Sequence, residues 1–521
     1  MFTALAVSEA TIESNLKPFL LVLAVSLTVA TLPQFFGWFR RIPYTLLLVI
    51  VGLGLAFIDV RLVDLSPELI LTIFLPPLLF EAAWNLRWAE LKQQWIPISL
   101  YAVLGVLISI LGVTLGLHYI VALPLTTALL IGASLSATDP VSVIALFREL
   151  GVDKRLATVM EGESLFNDGM AVVAFSFLVA LPLGTATLTL SSILTQFVVV
   201  VGVGVAVGSL IGFSISYLTQ RFDLPLVEQS LTLVSAYATY LIAEDLGGSG
   251  VIAVVVTGLV LGNFGSRIGM NPRTRIIVTE FWEFLAFFVN SIVFLLIGDQ
   301  IQFAVLGESW QAIAVTLLGM ILARAIAVYG LGRLSNVFTS TDLSMREQTL
   351  VWWGGLRGSV AIALALSVPA LLPERQEIIA VVFGVVLFTL LVQGLTIKPL
   401  LEVLKLLGDQ PLRQQYAEVV ARLTALNRVL EYLHQAEQRP GVEPEFYRYQ
   451  ETLVKGEIER LSQAAEQLQV EYPSLNGFAN EQLRQELLAV EAETYAELVQ
   501  TGQLNQELAP LLQPPEESDR S

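Results

Sequence analysis

The 521-residue chain has no cysteine and only two histidines, His118 and His434. Disulfides and thiolate metal sites are excluded, and an imidazole-built zinc site lacks ligands. Charge is also scarce: 14% of residues are charged and 55% are hydrophobic. A soluble domain carries about 25% charged residues, so much of this surface needs another solvent. Basic residues are outnumbered, 29 Lys and Arg to 46 Asp and Glu. A basic footprint for nucleic acid is missing, and no nucleic-acid partner is expected. The first 16 residues lack the basic start and small-residue cleavage site of a signal peptide, so the first apolar stretch reads as a retained helix.

What the chain has is apolar length, with a mean hydropathy of +0.70. Windows of about 20 apolar residues, enough to cross about 30 Å of hydrocarbon, recur from residue 17 to about 405. We place about thirteen spans, at 17–39, 42–58, 67–84, 95–119, 122–148, 156–180, 189–218, 226–245, 249–264, 275–298, 310–332, 346–371 and 377–404. One set of alternate loops holds thirteen Lys and Arg residues, among them Arg87, Arg148 and Arg221, and the other holds three, Lys17, Arg61 and Arg375. By the positive-inside rule the N-terminus is outside and the C-terminal tail cytoplasmic, which requires an odd number of spans. The fold class expected is an all-α polytopic membrane protein, with residues 1–408 as the transmembrane domain, lying in a cell membrane.

Residues 409–521 form a different unit. They hold 20 acidic and 9 basic residues, a balance of −11 within a whole-chain charge of −17. Leu412, Tyr416, Val419, Val420, Leu423, Leu426 and Leu430 keep helical spacing, and Pro440 and Pro473 punctuate the pattern. This tail is expected to be helical and cytoplasmic, packing on itself or a second protomer, or regulating the rest. Its end, from Pro514, reads as unstructured.

Ionisable groups inside a membrane cost at least about 2.5–3.5 kcal/mol each, so they persist when paired, hydrated or functional. Glu81, Asp139, Glu163, Asp168, Arg324 and Arg357 fall inside expected spans. In Thr138-Asp139-Pro140, the proline removes a donor and pushes residue 139 from helical dihedrals. A helix break there would turn carbonyls and a carboxylate toward a cavity and suit a hard cation; a simple proline kink is the plainer reading. In the next span, Ser164 and Asp168 share one helix strip, and Glu163 and Asn167 the adjacent one. They make an oxygen half-shell, or else satisfy nearby backbone. Glu161 reads as interfacial. Glu81, after Pro76-Pro77, is either a ligand or a hydrated boundary residue. Arg324 cannot shed its proton, and Glu163 is its candidate partner. Gly354-Gly355-Leu356-Arg357-Gly358 suggests a second break, seven spans from the first. An odd separation sets the two broken helices antiparallel, as in inverted-repeat transporters.

The runs Thr138-Asp139-Pro140, Glu163-Ser164-Leu165-Phe166-Asn167-Asp168 and Gly354-Gly355-Leu356-Arg357-Gly358 together resemble the monovalent cation/proton antiporters of the first cation:proton antiporter group. The match covers residues 17–405, and the long tail resembles those of cyanobacterial and eukaryotic members. The resemblance implies about thirteen helices, with inverted repeats, a six-helix core and a homodimer. It implies Na+ and H+ as substrates, with Li+ a possible third ion, and no cofactor and no enzymatic activity. Asp168 would be the central ion- and proton-binding carboxylate, and Thr138, Ser164 and Glu81 further Na+ ligands. Asp139 would act directly or through water, Asn167 would orient the site, and Glu163–Arg324 would be a structural ion pair. Electrogenic relatives carry Asp-Asp where this chain has Asn167-Asp168, with a facing lysine that is missing here. One-for-one electroneutral exchange follows as the expectation. Potassium/proton exchange is the alternative, and a cation channel or a membrane sensor are readings from other classes.

Overall fold

The computed structural model describes residues 19–472, apart from 34, 36–41, 59–61, 63–65, 182–189, 220, 222–223, 271, 339–342, 408–409 and 437–443; beyond 472 it describes Leu475, Leu487 and Thr494. The expected unstructured end from Pro514 and the loop cations Lys17, Arg40, Arg41 and Arg61 lie outside the described residues. Among the described residues there is no β-strand. Six helices of the described residues are long and apolar enough to cross a membrane: Trp95–Val121, Lys154–Ala180, Thr195–Thr219, Thr274–Asp299, Trp310–Phe338 and Arg375–Leu404. Shorter apolar helices include Phe19–Pro33, Tyr44–Phe57, Leu69–Asn85, Leu125–Ser134 and Gly250–Ser266. Each expected span overlaps a helical stretch, and the all-α membrane fold stands. Helices suit hydrocarbon because each backbone donor finds its acceptor within its own segment.

The helix Trp310–Phe338 shows how composition sorts itself. Leu318, Leu322 and Ile326, four apart, are 63%, 62% and 67% exposed, whereas Thr316, Met320, Ala323, Arg324 and Ala327 are buried. Large apolar groups face outward and the polar and small ones face the bundle, the reverse of a soluble helix.

Two of the expected spans are discontinuous. The first consists of Leu125–Ser134 and Val141–Leu150, with residues 135–140 non-helical between them. The second consists of Met345–Trp353 and Ser359–Leu366, with residues 354–358 between. Met345–Trp353 starts on a capping box, Ser344 and Glu347 each accepting the other's backbone N–H.

The chain divides into two compact units, residues 1–148 with 152–406, and residues 149–151 with 407–521. In the second, helices Gln410–Ala436 and Pro444–Glu471 form an antiparallel hairpin. Gln469 donates to the Tyr416 hydroxyl at 2.6 Å near one end, and His434 meets Glu451 at 3.3 Å near the turn. Tyr416 is buried, and Leu412, Val419, Val420, Leu423, Leu426 and Leu430 are half-buried along the same stripe.

Within the first unit, Tyr44–Phe57 and Pro272–Asp299 pack with backbones nearly touching. A Cβ at Gly52 would lie 2.2 Å from the Leu295 carbonyl oxygen, and one at Gly298 would lie 2.3 Å from that of Val49. Small residues let membrane helices approach in this way. Gly298→Val is therefore expected to cost about 1–3 kcal/mol by overpacking, read as a lower thermal transition of the detergent-solubilised protein. An unchanged transition would show that this crossing is not tight.

Candidate functional site

The site begins where the first helix stops. Pro140 supplies no N–H, and the helix restarts at Val141, whose N–H donates to Asp139 Oδ1 at 3.1 Å. The Asp139 N–H donates to the Leu356 carbonyl at 2.8 Å, so the two breaks cross and bond directly.

Each crossing leaves carbonyls without helical partners at the end of a half-helix, and at each an arginine takes them. Arg357, 0% exposed, donates from Nη1 to the carbonyls of Ser136 and Ala137 at 3.1 and 3.0 Å. These lie just past Leu125–Ser134. Arg324 donates from Nε to the Trp352 carbonyl at 3.1 Å and from Nη2 to that of Val351 at 3.0 Å, at the end of Met345–Trp353. A cation suits the negative end of a helix dipole. The Arg357 N–H is itself held by Thr389 Oγ1 at 3.1 Å, in the π-helical turn Thr389–Gln393. The glycines of the second break serve this closeness. A Cβ at Gly358 would lie 2.0 Å from Asp139 Oδ2, and one at Gly355 would lie 2.2 Å from Arg324 Cζ.

The helix Lys154–Ala180 supplies the remaining groups, and its two polar strips do separate work. On one strip, Glu163 receives a two-pronged contact from Arg324, at 2.9 and 3.3 Å, with both residues buried. On the same strip the Asn167 amide grips Thr138: Nδ2 donates to its hydroxyl at 2.6 Å, and Oδ1 accepts from its N–H at 3.2 Å. The Ser164 hydroxyl donates to the Thr138 carbonyl. On the other strip, Ser164 and Asp168 line a cavity of about 320 Å³ together with Glu81 and Asp139. Asp168 is 8% exposed, and its Oδ1 has no hydrogen-bond partner among the described residues.

Four of the expected site residues, Glu81, Asp139, Ser164 and Asp168, thus share one cavity. Thr138 and Asn167 stand behind them as supports. Glu81 Oε1 accepts from Asn85 at 2.5 Å. Glu161, expected at the interface, lines the cavity's mouth and pairs with Arg148 at 3.3 Å. Sequence reasoning missed Tyr44, Glu283, Asn290 and Ser359, which line the same cavity. Glu283 and Asn290 are seven apart on one helix face, a spacing that could have been noticed; Tyr44 carried no signal. Among the described residues no three His, Asp or Glu side chains gather as a metal cluster. The chemistry available is one open carboxylate with hydroxyl and carboxylate oxygens nearby, suited to a proton or a weakly held hard cation.

The family model for the sodium/hydrogen exchanger, transmembrane, matches residues 23–403. The chain is 60% identical to the Na(+)/H(+) antiporter ApNhaP of Aphanothece halophytica, covering 98% of each. It is 58% identical to the low-affinity Na(+)/H(+) antiporter NhaS1 of Synechocystis, covering 97% of each. Among solved structures, the sodium proton antiporter MjNhaP1 of Methanocaldococcus jannaschii shares the fold, with a TM-score of 0.60 at 22% identity over 74% of this chain and 99% of that one.

Glu163→Leu would leave the Arg324 charge buried without its carboxylate, at an expected cost of about 3–5 kcal/mol. Arg324→Lys keeps the charge but loses the fork that serves a carboxylate and two carbonyls together. Both variants should unfold at lower temperature than the parent. A lysine variant of parental stability would show that charge alone suffices at this position.

Proposed function

The chain belongs to the sodium/hydrogen exchanger family, a family of transporters, and on that footing we propose that it exchanges Na+ for H+, one for one, through Asp168. The observation that carries this reading is the buried Asp168 carboxylate, with Oδ1 unpartnered, at the cavity shared with Ser164, Asp139 and Glu81. A buried bare carboxylate pays several kcal/mol of desolvation, whereas a protonated or cation-bound one is neutral and pays far less. Proton and Na+ therefore compete for one group. If the site changes sides only when neutralised, each ion that enters is matched by one that leaves.

The stoichiometry rests on what the other charges are doing. Arg324 is committed to Glu163 and two carbonyls, and Arg357 to the first break. Asp139 caps Val141, Glu81 meets Asn85, and Glu161 meets Arg148. Asp168 Oδ1 is buried and, among the described residues, has no hydrogen-bond partner. Na+ would lie against Asp168 and Ser164, with Glu81 and Asp139 near and Thr138 held in register by Asn167; no cofactor enters the cycle.

The protein is an integral, multi-pass membrane protein. The loop cations support a cytoplasmic tail and an external N-terminus in the cell membrane. Arg148, at the cavity mouth, belongs to the cation-rich loop set, so this conformation opens inward. A homodimer is the assembly we assign, and sodium and pH homeostasis the role.

Asp168→Asn should abolish Na+-driven pH change in proteoliposomes loaded with a pH dye; exchange that persists would remove Asp168 from the cycle. In the parent protein, lowering pH on the Na+ side should raise half-saturating Na+ and leave the maximal rate unchanged. A falling maximal rate with constant half-saturation would count against a shared site. Clamping the voltage at different values should leave the rate unaltered.

A further inference from the structure

A carboxylate that serves both sides of a membrane in turn needs a second route, and none of the groups described so far provides it. Along the Lys154–Ala180 helix, Asp168, Val172 and Ser176 follow one another at four-residue steps, so they share a face and are separated by about 6 Å each. Asp168 and Ser164 open onto the first cavity. Val172 and Ser176 open onto a second, of about 540 Å³, whose far wall carries Gln196, Glu244 and Ser249. Ser176 and Glu244 are exposed, and Glu244 is the one charged residue in that lining.

Glu244 is fixed rather than loose. Its Oε1 accepts the Gly250 N–H at 2.8 Å, at the start of the next helix. The turn of the Lys154–Ala180 helix between the two cavities is apolar. Val173 and Val251 are buried, and a Cβ at Gly169 would lie 2.8 Å from Ile252 Cγ1. Gly204 packs against Ile252 from the far side, with a Cβ there meeting its Cβ at 3.3 Å. One helical turn separates Asp168 from Val172, which with Val173 lines the second cavity, and Val251 and Ile252 pack on Gly169 within that turn. A one-turn ratchet of one packed element past another, about 5.4 Å, would carry Asp168 to the level Val172 holds now.

We propose that the second cavity is the outer vestibule of the exchange route, and that Glu244 is its positioning residue, drawing cations toward Asp168 from the side opposite the first cavity. This rests on the exchange reading above. A single fixed anion in a low-dielectric cleft raises the local concentration of cations and so lowers the concentration needed to load the site.

The parent's lack of cysteine makes it a ready background for labelling. Ser176→Cys, with Ser462→Cys in the tail as a marker of the tail's face, would be exposed in oriented vesicles to a charged, membrane-impermeant maleimide. Ser176→Cys is expected to react only from the face opposite Ser462→Cys while exchange persists. Reaction from the tail's face, or reaction only after denaturation, would overturn the vestibule. Glu244→Gln should raise half-saturating Na+ roughly threefold to tenfold on the outer face and leave it unaltered on the tail's face, with the maximal rate kept and Glu244→Asp restoring most of the loss. An equal change on both faces, or none, would overturn the role of Glu244. If Asp168→Asn abolishes exchange while Ser176→Cys stays unreactive, the vestibule fails and the exchange reading stands. If Asp168→Asn leaves exchange intact, that reading fails by itself.

Discussion

The rest of the structure depends on the direct bond between two broken helices, Asp139 N–H to the Leu356 carbonyl at 2.8 Å. An unwound segment inside hydrocarbon is tolerated only if its backbone groups find partners or line a cavity. Here each break partners the other. Arg357, carried by the second, takes the carbonyls freed by the first. Gly358 in turn admits the Asp139 carboxylate to contact with its backbone. Neither break would be stable alone. Their mutual dependence fixes Asp139 and Ser359 at the wall of the cavity and Thr138 just behind it.

The two buried arginines have parallel duties, which explains why both are arginine. Each serves at least two carbonyls at the end of a half-helix, and Arg324 adds a carboxylate. A planar fork with five donors can do this; a lysine's point charge would satisfy it less completely. The Glu163–Arg324 contact by itself is weak evidence of stability, because desolvating two charges consumes much of the attraction. Its value is positional: it ties Lys154–Ala180, the helix that carries Asp168, to the helix that closes the second break.

The sequence made the breaks legible because proline before a helix restart and dense glycine have local causes that need no tertiary knowledge. It also made Glu163–Arg324 legible, because a permanently charged group in an apolar run must find an anion. The Ser164–Asp168 strip followed from helical period alone. Less was legible for Glu81, whose neighbour Asn85 is one turn away and whose cavity depends on helix packing. The second duty of Arg357 was hidden as well, since nothing in Gly-Leu-Arg-Gly says which carbonyls it will meet. Glu283, Asn290 and Tyr44 come to the cavity from helices 115 to 124 positions from Asp168; the spacing of Glu283 and Asn290 puts them on one helix face but does not say which cavity that face meets.

One helix ties these observations together. On Lys154–Ala180, Glu163 and Asn167 look toward the structural partners Arg324 and Thr138, while Ser164 and Asp168 look into the first cavity. Val172 and Ser176 continue that second strip into the other cavity. The 3.6-residue period therefore sorts one segment into an anchoring face and a conducting face. Anchoring residues bind the helix to both breaks, so any displacement of Asp168 must carry the breaks with it as one body. Beyond Asp168 the helix packs on Val251 and Ile252 at Gly169, apolar contacts without direction that can slide without losing hydrogen bonds. Strong directional bonds tie this helix to both breaks, and the buried Thr45–Ser142 hydroxyl contact at 2.6 Å, between Tyr44–Phe57 and the second half of the first break, is one that such a displacement has to exchange.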